Sequence, residues 1–260
     1  MKTHTIAATG YSFQHNDPAK ARVEGSPPAI IFGIALDAVN EAASKRATLM
    51  QDSDLSPQGR ERRLKPIHET AWATLAAGYI RLAEFDAATD KREAALVSVP
   101  TLDPSASAHA ALDSEVRIWY RGLSLGDRTK VMNAVQNDPE AGKRYERTVI
   151  ALLRSPVPLP ADHETAFFAS LWKQTKRLDN PGEALAIDAD RSASEYGWRG
   201  LAILQGVLSV VTGWSRAELL NWLVLDASRI GAAKAFGFGV MEATAAKQAQ
   251  QAAGRIPTTA

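Results

Sequence analysis

Along most of the chain, apolar residues return at spacings of three and four, the period of a helix with one side turned inward. From Ala29, the positions Ile31, Ile34, Ala35, Ala38, Ala42 and Leu49 fall near one face and predict a first helix. The segment "QDSDLSP" stops it, Ser56 suits an N-cap and Pro57 the first helical position, so a second, longer helix is expected to about Val97. Within it Leu64, His68, Ala71, Leu75, Gly78, Leu82, Phe85 and Leu96 form a seam, interrupted by the poor positions Thr89 and Arg92. With a short connection at 51–56, the two helices are expected to form an antiparallel hairpin. Pro66 is expected to kink or split the second helix near Leu64 and Lys65.

Residues 1–28 are turn-rich, with too few apolar positions to close a core, and read as an extended arm lying on something else. After the breaker-rich stretch 98–108, three shorter helices are predicted. The first carries Val116, Trp119 and Tyr120 on its apolar side, and the second opens on Ser124 with Asp127 at capping-box spacing. The third starts at Asp138 and Pro139 and runs to about Arg154. Pro156, Pro158 and Pro160 then make 156–160 a stiff spacer and a subdomain boundary. Asn180 and Pro181 restart a helix in a region, 161–246, that reads as helical almost throughout, and 247–260 is a polar tail. No strand alternation stands out. The expected class is all-α: an elongated bundle with an N-terminal helical region (29–155) built on the hairpin, and an apolar C-terminal helix pair.

One stretch of that C-terminal region, Gly200 to Trp214, holds no charge. Fifteen residues at the helical rise span roughly 22 Å, short of the roughly 30 Å hydrocarbon core, so it reads as an amphipathic core helix. Leu201, Leu204, Val207, Leu208 and Val211 take one side, while Ala202, Gln205, Gly206, Ser209, Thr212 and Gly213 line the other as a small-residue seam for a close helix. Gly213 ends the helix, and Ser215 with Glu218 forms a capping box for the next one. The oligomer or partner contacts expected on this pair are Trp198, Leu201, Leu204, Gly206, Leu208, Val211, Trp214, Leu219 and Trp222, with any membrane contact at the same place.

Composition adds exclusions. There is no cysteine, which removes disulfides and thiolate metal sites, and the N-terminus shows no secretion signal, so the protein is expected to be intracellular when made. The 30 basic and 29 acidic side chains leave +1, too little to draw in nucleic acid globally. The densest basic run, "GRERRLK", offers Arg60, Arg62 and Arg63 as phosphate contacts, but Glu61 interrupts it and a solvated face is the preferred reading.

Chemical motifs are broken or missing. "HETAW" at His68 and "HETAF" at His163 start like a zinc-peptidase motif, which needs a second imidazole four residues on; Trp72 and Phe167 stand there instead. Glu69 and Glu164 are then expected to point outward. His4, His15 and His109 are too spread for a local metal signature, and phosphate loops and serine-nucleophile elbows are absent. "GFG" at 237–239 reads as a kink inside a helix, and the six tryptophans as anchors at helix contacts. No catalytic, metal or cofactor residue is expected.

The segment from Ser114 to Pro156, with "LSPQGRERRL" upstream, resembles uncharacterised helical proteins encoded among the structural genes of tailed bacteriophages. The shared pattern is met by Glu115 and Arg117, the turn from Leu123 to Arg128, Asp138, and Ser155 with Pro156. It covers roughly residues 50–160 and consists of helix punctuation. The resemblance implies a non-enzymatic, oligomerising minor virion component, either an internal or ejected protein or a head-to-tail connector. Its partners would be its own copies and other virion proteins, with transient contact to DNA or host membrane and no small-molecule substrate. The rival readings are a helical enzyme with a site assembled from distant His and Glu residues, and a DNA-binding helical factor.

Overall fold

The computed structural model describes residues 1–6, 8–103, 105, 107–138 and 144–255. The chain is mostly α. It divides into two compact units, residues 1–89 with 189–260, and residues 90–188.

The first unit opens on strands, correcting the expectation of an extended arm and of a chain without β-structure. β1 (Lys2–Ile6) and β2 (Tyr11–His15) pair antiparallel, with Lys2 opposite His15 and His4 opposite Phe13. Alternate side chains of a strand share a face, and here Ile6, Phe13 and His15 are buried. The His4 ring stacks on Phe13 at 5.2 Å, and His15 sits 4.8 Å from the Phe32 ring and 4.3 Å from Tyr196.

α1 (Pro27–Gln51) begins at Ser26, whose Oγ accepts from the Ala29 N–H at 3.4 Å. α2 (Pro57–Leu96) begins at Ser56, whose Oγ accepts from the Gly59 N–H at 3.1 Å. α2 runs unbroken through Pro66: one lost backbone bond is outweighed by the turn that follows, where His68, Ala71, Trp72 and Leu75 are buried. The two helices run antiparallel, since Ile31 lies beside Gly78 while residues 38–45 line a shallow cleft with residues 66–71. Thr89, a poor seam position by sequence, is buried, and its hydroxyl donates to the Phe85 carbonyl at 3.0 Å.

Numbering on, α3 (Ser107–Gly122), α4 (Leu125–Gln136), α5 (Glu146–Leu153) and α6 (Asp162–Asp179) belong to the second unit, and α7 (Pro181–Thr212) starts there and returns to the first. Leu201, Leu204, Val207, Leu208 and Val211 of α7 are buried, the side the apolar pattern selects. Gly206, however, is exposed, and a Cβ built on it meets nothing within 4 Å, so it is no part of a close seam. The close approaches lie at Gly200, where a Cβ would come within 2.5 Å of the Phe32 ring, and at Gly197, within 2.9 Å of Leu82.

α7 ends at Gly213, whose φ of 69° suits a glycine after a helix. Ser215 and Glu218 make the full capping box of α8 (Arg216–Val224). A short α9 (Ala227–Ile230), a series of turns and α10 (Val240–Ala252) complete the unit, so the expectation of nearly continuous helix to 246 is corrected. "GFG" lies between helices rather than inside one. Gly237 has a φ of 80°, and the flanking Phe236 and Phe238 are buried.

The second unit has a smaller apolar core, with Tyr120, Phe168 and Trp172 at its centre. Ser124 caps α4 by accepting from the Asp127 N–H. The expected helix start at Pro139 lies outside the described residues, as does the end of the tail, 256–260. The Pro-rich spacer lies within this unit: Leu159 is buried and the Val157 carbonyl accepts from Arg121 at 2.7 Å. Both unit boundaries fall inside helices, between 89 and 90 in α2 and between 188 and 189 in α7.

Candidate functional site

In the first unit, aromatic contacts join α2 and α8 to the segments between helices that carry Trp214 and Phe236. Trp222 meets Trp214 at 5.8 Å, Trp214 stacks on Trp72 at 6.1 Å, Trp72 meets Phe236, and Phe236 meets Tyr79 at 5.0 Å. Polar handles are fixed as well: Trp72 Nε1 donates to Thr212 Oγ1 at 3.2 Å, the Tyr79 hydroxyl to Gln205 Oε1 at 2.9 Å, and Trp198 Nε1 to Asp86 Oδ2 at 2.7 Å. Burial raises the Tyr79 phenol above its ordinary range.

Most of the residues expected to meet a partner are therefore inside. Leu201, Leu204, Leu208, Val211, Leu219 and Trp222 are buried in the unit's own core, and Trp198 and Trp214 are half-buried against it. Gly206 alone of that set is exposed, with no side chain to offer. Among the described residues, no helix is long and apolar enough to cross a membrane.

An open cavity of about 740 Å³ lies at one end of the aromatic series. Its apolar wall comes from Met50 at the end of α1, Leu64 of α2, and Trp214, Trp222 and Leu225 around α8. Its cations are Arg46, Arg60, Lys65 and Arg255, none of which makes an ion pair with a described residue. Of the carboxylates on the wall, Glu218 is engaged by the Ser215 N–H and hydroxyl at 2.7 Å, leaving Glu61 and Glu69. Arg60 donates through Nη2 to the Asp52 carbonyl at 2.7 Å, but its Nε finds no acceptor, nor does Trp222 Nε1. An unpaired buried N–H costs about 1–3 kcal/mol, so this wall is incompletely satisfied. The structure splits the basic run of the sequence: Arg60 is half-buried at the cavity, while Arg62 and Arg63 are exposed and do not line it.

The broken zinc motifs resolve differently from each other. His68 is buried at the cavity, and its imidazole is held below the ordinary histidine range by burial and then by the Arg46 charge. His163 is exposed in the first turn of α6, while Glu164, expected to point outward, is fully buried. Glu164 accepts from Arg128 Nε at 2.8 Å, and Arg128 also donates to the Leu123 carbonyl. Burial first, and then the Glu164 carboxylate, pushes the Tyr120 phenol up to about 12. Among the described residues, no three His, Asp or Glu side chains gather as a metal-holding group.

The second unit has a further buried carboxylate that sequence reasoning missed. Asp113 is fully buried, 2.8 Å from Arg147, 3.2 Å from Arg154 and 3.7 Å from Arg117. Arg117 Nε also donates to the Ala151 carbonyl, and Arg154 Nε to the Pro100 carbonyl. Arg117 and Arg128 thus serve as internal ties.

The other side of α3 is free of such ties. Asp113, Val116 and Tyr120 face inward, while Ala108, Ala111, Leu112, Glu115, Ile118, Trp119 and Gly122 are exposed. On a helical wheel these seven fall within about 120°, an apolar strip broken by Glu115 alone. Ile118 is 69% exposed and Trp119 48%, and Leu125 follows at 61%. Trp119, expected on the inner side beside Tyr120, is on this outer strip. No family model, curated protein or solved structure matches the chain.

Proposed function

We propose that this protein is a non-enzymatic assembly protein that works by helix-to-helix association, most consistent with a minor virion component of a tailed phage. The observation that carries the association is the exposed apolar strip of α3, with Leu112, Ile118 and Trp119 on it and Leu125 just beyond. Single exposed apolar residues are ordinary on soluble proteins, but a helix with one face on its own core and an apolar opposite face offers contiguous surface for a partner. The partner is a second copy of the chain: the net charge of +1 sets up almost no repulsion between copies. The particle rests on the resemblance of residues 50–160 to phage structural proteins. Its position there, as an internal or ejected protein or as a connector, belongs to the same proposal.

Light scattering of the purified chain should give a multimer at micromolar concentration. Leu112→Glu with Ile118→Glu should return it to a monomer that keeps the helix content of the wild type and whose melting temperature no longer rises with protein concentration. A monomeric wild type overturns self-association, and absence of the chain from purified particles by mass spectrometry overturns the virion assignment.

A further inference from the structure

We infer that the cavity between the end of α1, the start of α2 and α8 is a binding site for a small amphipathic anion: a carboxylate or sulfonate head on an apolar, ring- or chain-like body. The size fits, since ligand cavities run from about 300 to 1,000 Å³ and this one measures about 740 Å³. The apolar wall of Trp214, Trp222, Leu64 and Leu225 matches a hydrophobic body rather than a sugar or a free inorganic ion.

The charges set the sign of the head. Arg46, Arg60, Lys65 and Arg255 stand on the wall without an ion pair to a described residue. Glu61 and Glu69 are the acids left to oppose them, because Glu218 is held in the α8 capping box. Arg46 and Arg60 are half-buried and line the cavity, and Arg60 is held in place by its Nη2 donation to the Asp52 carbonyl at 2.7 Å. That is the one hydrogen bond its guanidinium makes, so Nη1 remains as a donor beside the cavity. A planar guanidinium with free donors is suited to a carboxylate or sulfonate, which accepts through two oxygens at once.

A phosphate of nucleic acid would be the same charge on a different ligand, and the structure disfavours it. The neighbouring Arg62 and Arg63, which a backbone-tracking surface would recruit, do not line the cavity. The site stands independently of the assembly role, because every residue in it lies in the first unit and the α3 strip lies in the second.

The test uses the full chain with 8-anilinonaphthalene-1-sulfonate and its uncharged counterpart 1-anilinonaphthalene, read by quenching of tryptophan fluorescence. The sulfonate should bind one to one, about tenfold or more tighter than the uncharged compound. Decanoate should displace it. Arg60→Met and Arg46→Met, which keep the stems and remove the charge, should each weaken the sulfonate by roughly tenfold without changing the affinity of the uncharged compound. Equal affinity for the two compounds, several equivalent sites per chain, or full-strength binding by both variants overturns the proposal. So does displacement of the dye by a short oligonucleotide that depends on Arg62 and Arg63.

Discussion

The two units solve the problem of holding helices together by opposite means. The first packs rings and aliphatic side chains around positions where the backbone comes close, as at Gly197 and Gly200, and its buried His15 lies between the rings of Phe32 and Tyr196. Among the described residues the second buries fewer apolar side chains and adds buried carboxylates, Asp113 among three arginines and Glu164 on Arg128. Apolar packing degrades gradually as atoms are removed. A buried charge depends on every partner remaining, because the one left behind has lost its water as well as its counter-ion.

The sharpest break should therefore come in the second unit. Asp113→Ala removes the carboxylate shared by Arg117, Arg147 and Arg154, and should destabilise that unit by about 3–5 kcal/mol. Hydrogen exchange should show protection lost in α3 and α5 and retained in α1 and α2. Equal loss across both pairs would mean that the units unfold as one.

Acid should act next, and on the first unit. The His15 imidazole is lowered to about 4, by burial first and then by the His4 charge. Because its folded value lies below the unfolded 6.5, the unfolded chain takes up the proton first. The stabilisation is thus complete above pH 6.5 and is lost as the pH falls from there through 4. The shift corresponds to something on the order of 3 kcal/mol. Urea midpoints measured from pH 7 to 4 should fall for the wild type and stay flatter for His15→Phe; parallel curves would remove His15 from the account.

The smallest effects should differ in sign. Gly200→Ala forces a methyl towards the Phe32 ring and should cost about 1–3 kcal/mol by overpacking. Gly206→Ala meets open space and should gain up to about 1 kcal/mol from helix propensity. Two melting temperatures suffice: a lowered one for Gly206→Ala would restore the small-residue seam to the face where the sequence suggested it.

That reversal shows what was legible in the sequence. Helix starts at Ser56, Ser124 and Ser215 could be read because a cap is a local bond spanning three residues. The inner side of α7 could be read because Leu201, Leu204, Leu208 and Val211 keep helical period. Which glycine faces a neighbour could not, since small size says nothing about direction. The hairpin escaped because two of its four inward positions, His4 and His15, are histidines, so the alternation looked polar. Asp113 and Glu164 escaped for another reason: the arginines that make their burial tolerable lie mostly 34–41 residues away, at Arg147, Arg154 and Arg128. The cavity was half legible. Its basic run was visible as charge, but its tryptophans come from the other end of the chain.

The interruption of the first unit by the second also fixes an order of events on the ribosome. The unit that begins with residue 1 cannot close until 189–260 have been made, so the second unit, 90–188, is complete first. Trp72, Leu75 and Leu82 must wait for Leu201, Leu204 and Leu208, more than a hundred residues later. At synthesis rates of about 5–20 residues per second that wait is on the order of 10 s. During it, the face of α2 that carries Trp72, Leu75 and Leu82 has α1 beside it and not yet α7, so the core these residues close stays open until the last third of the chain arrives.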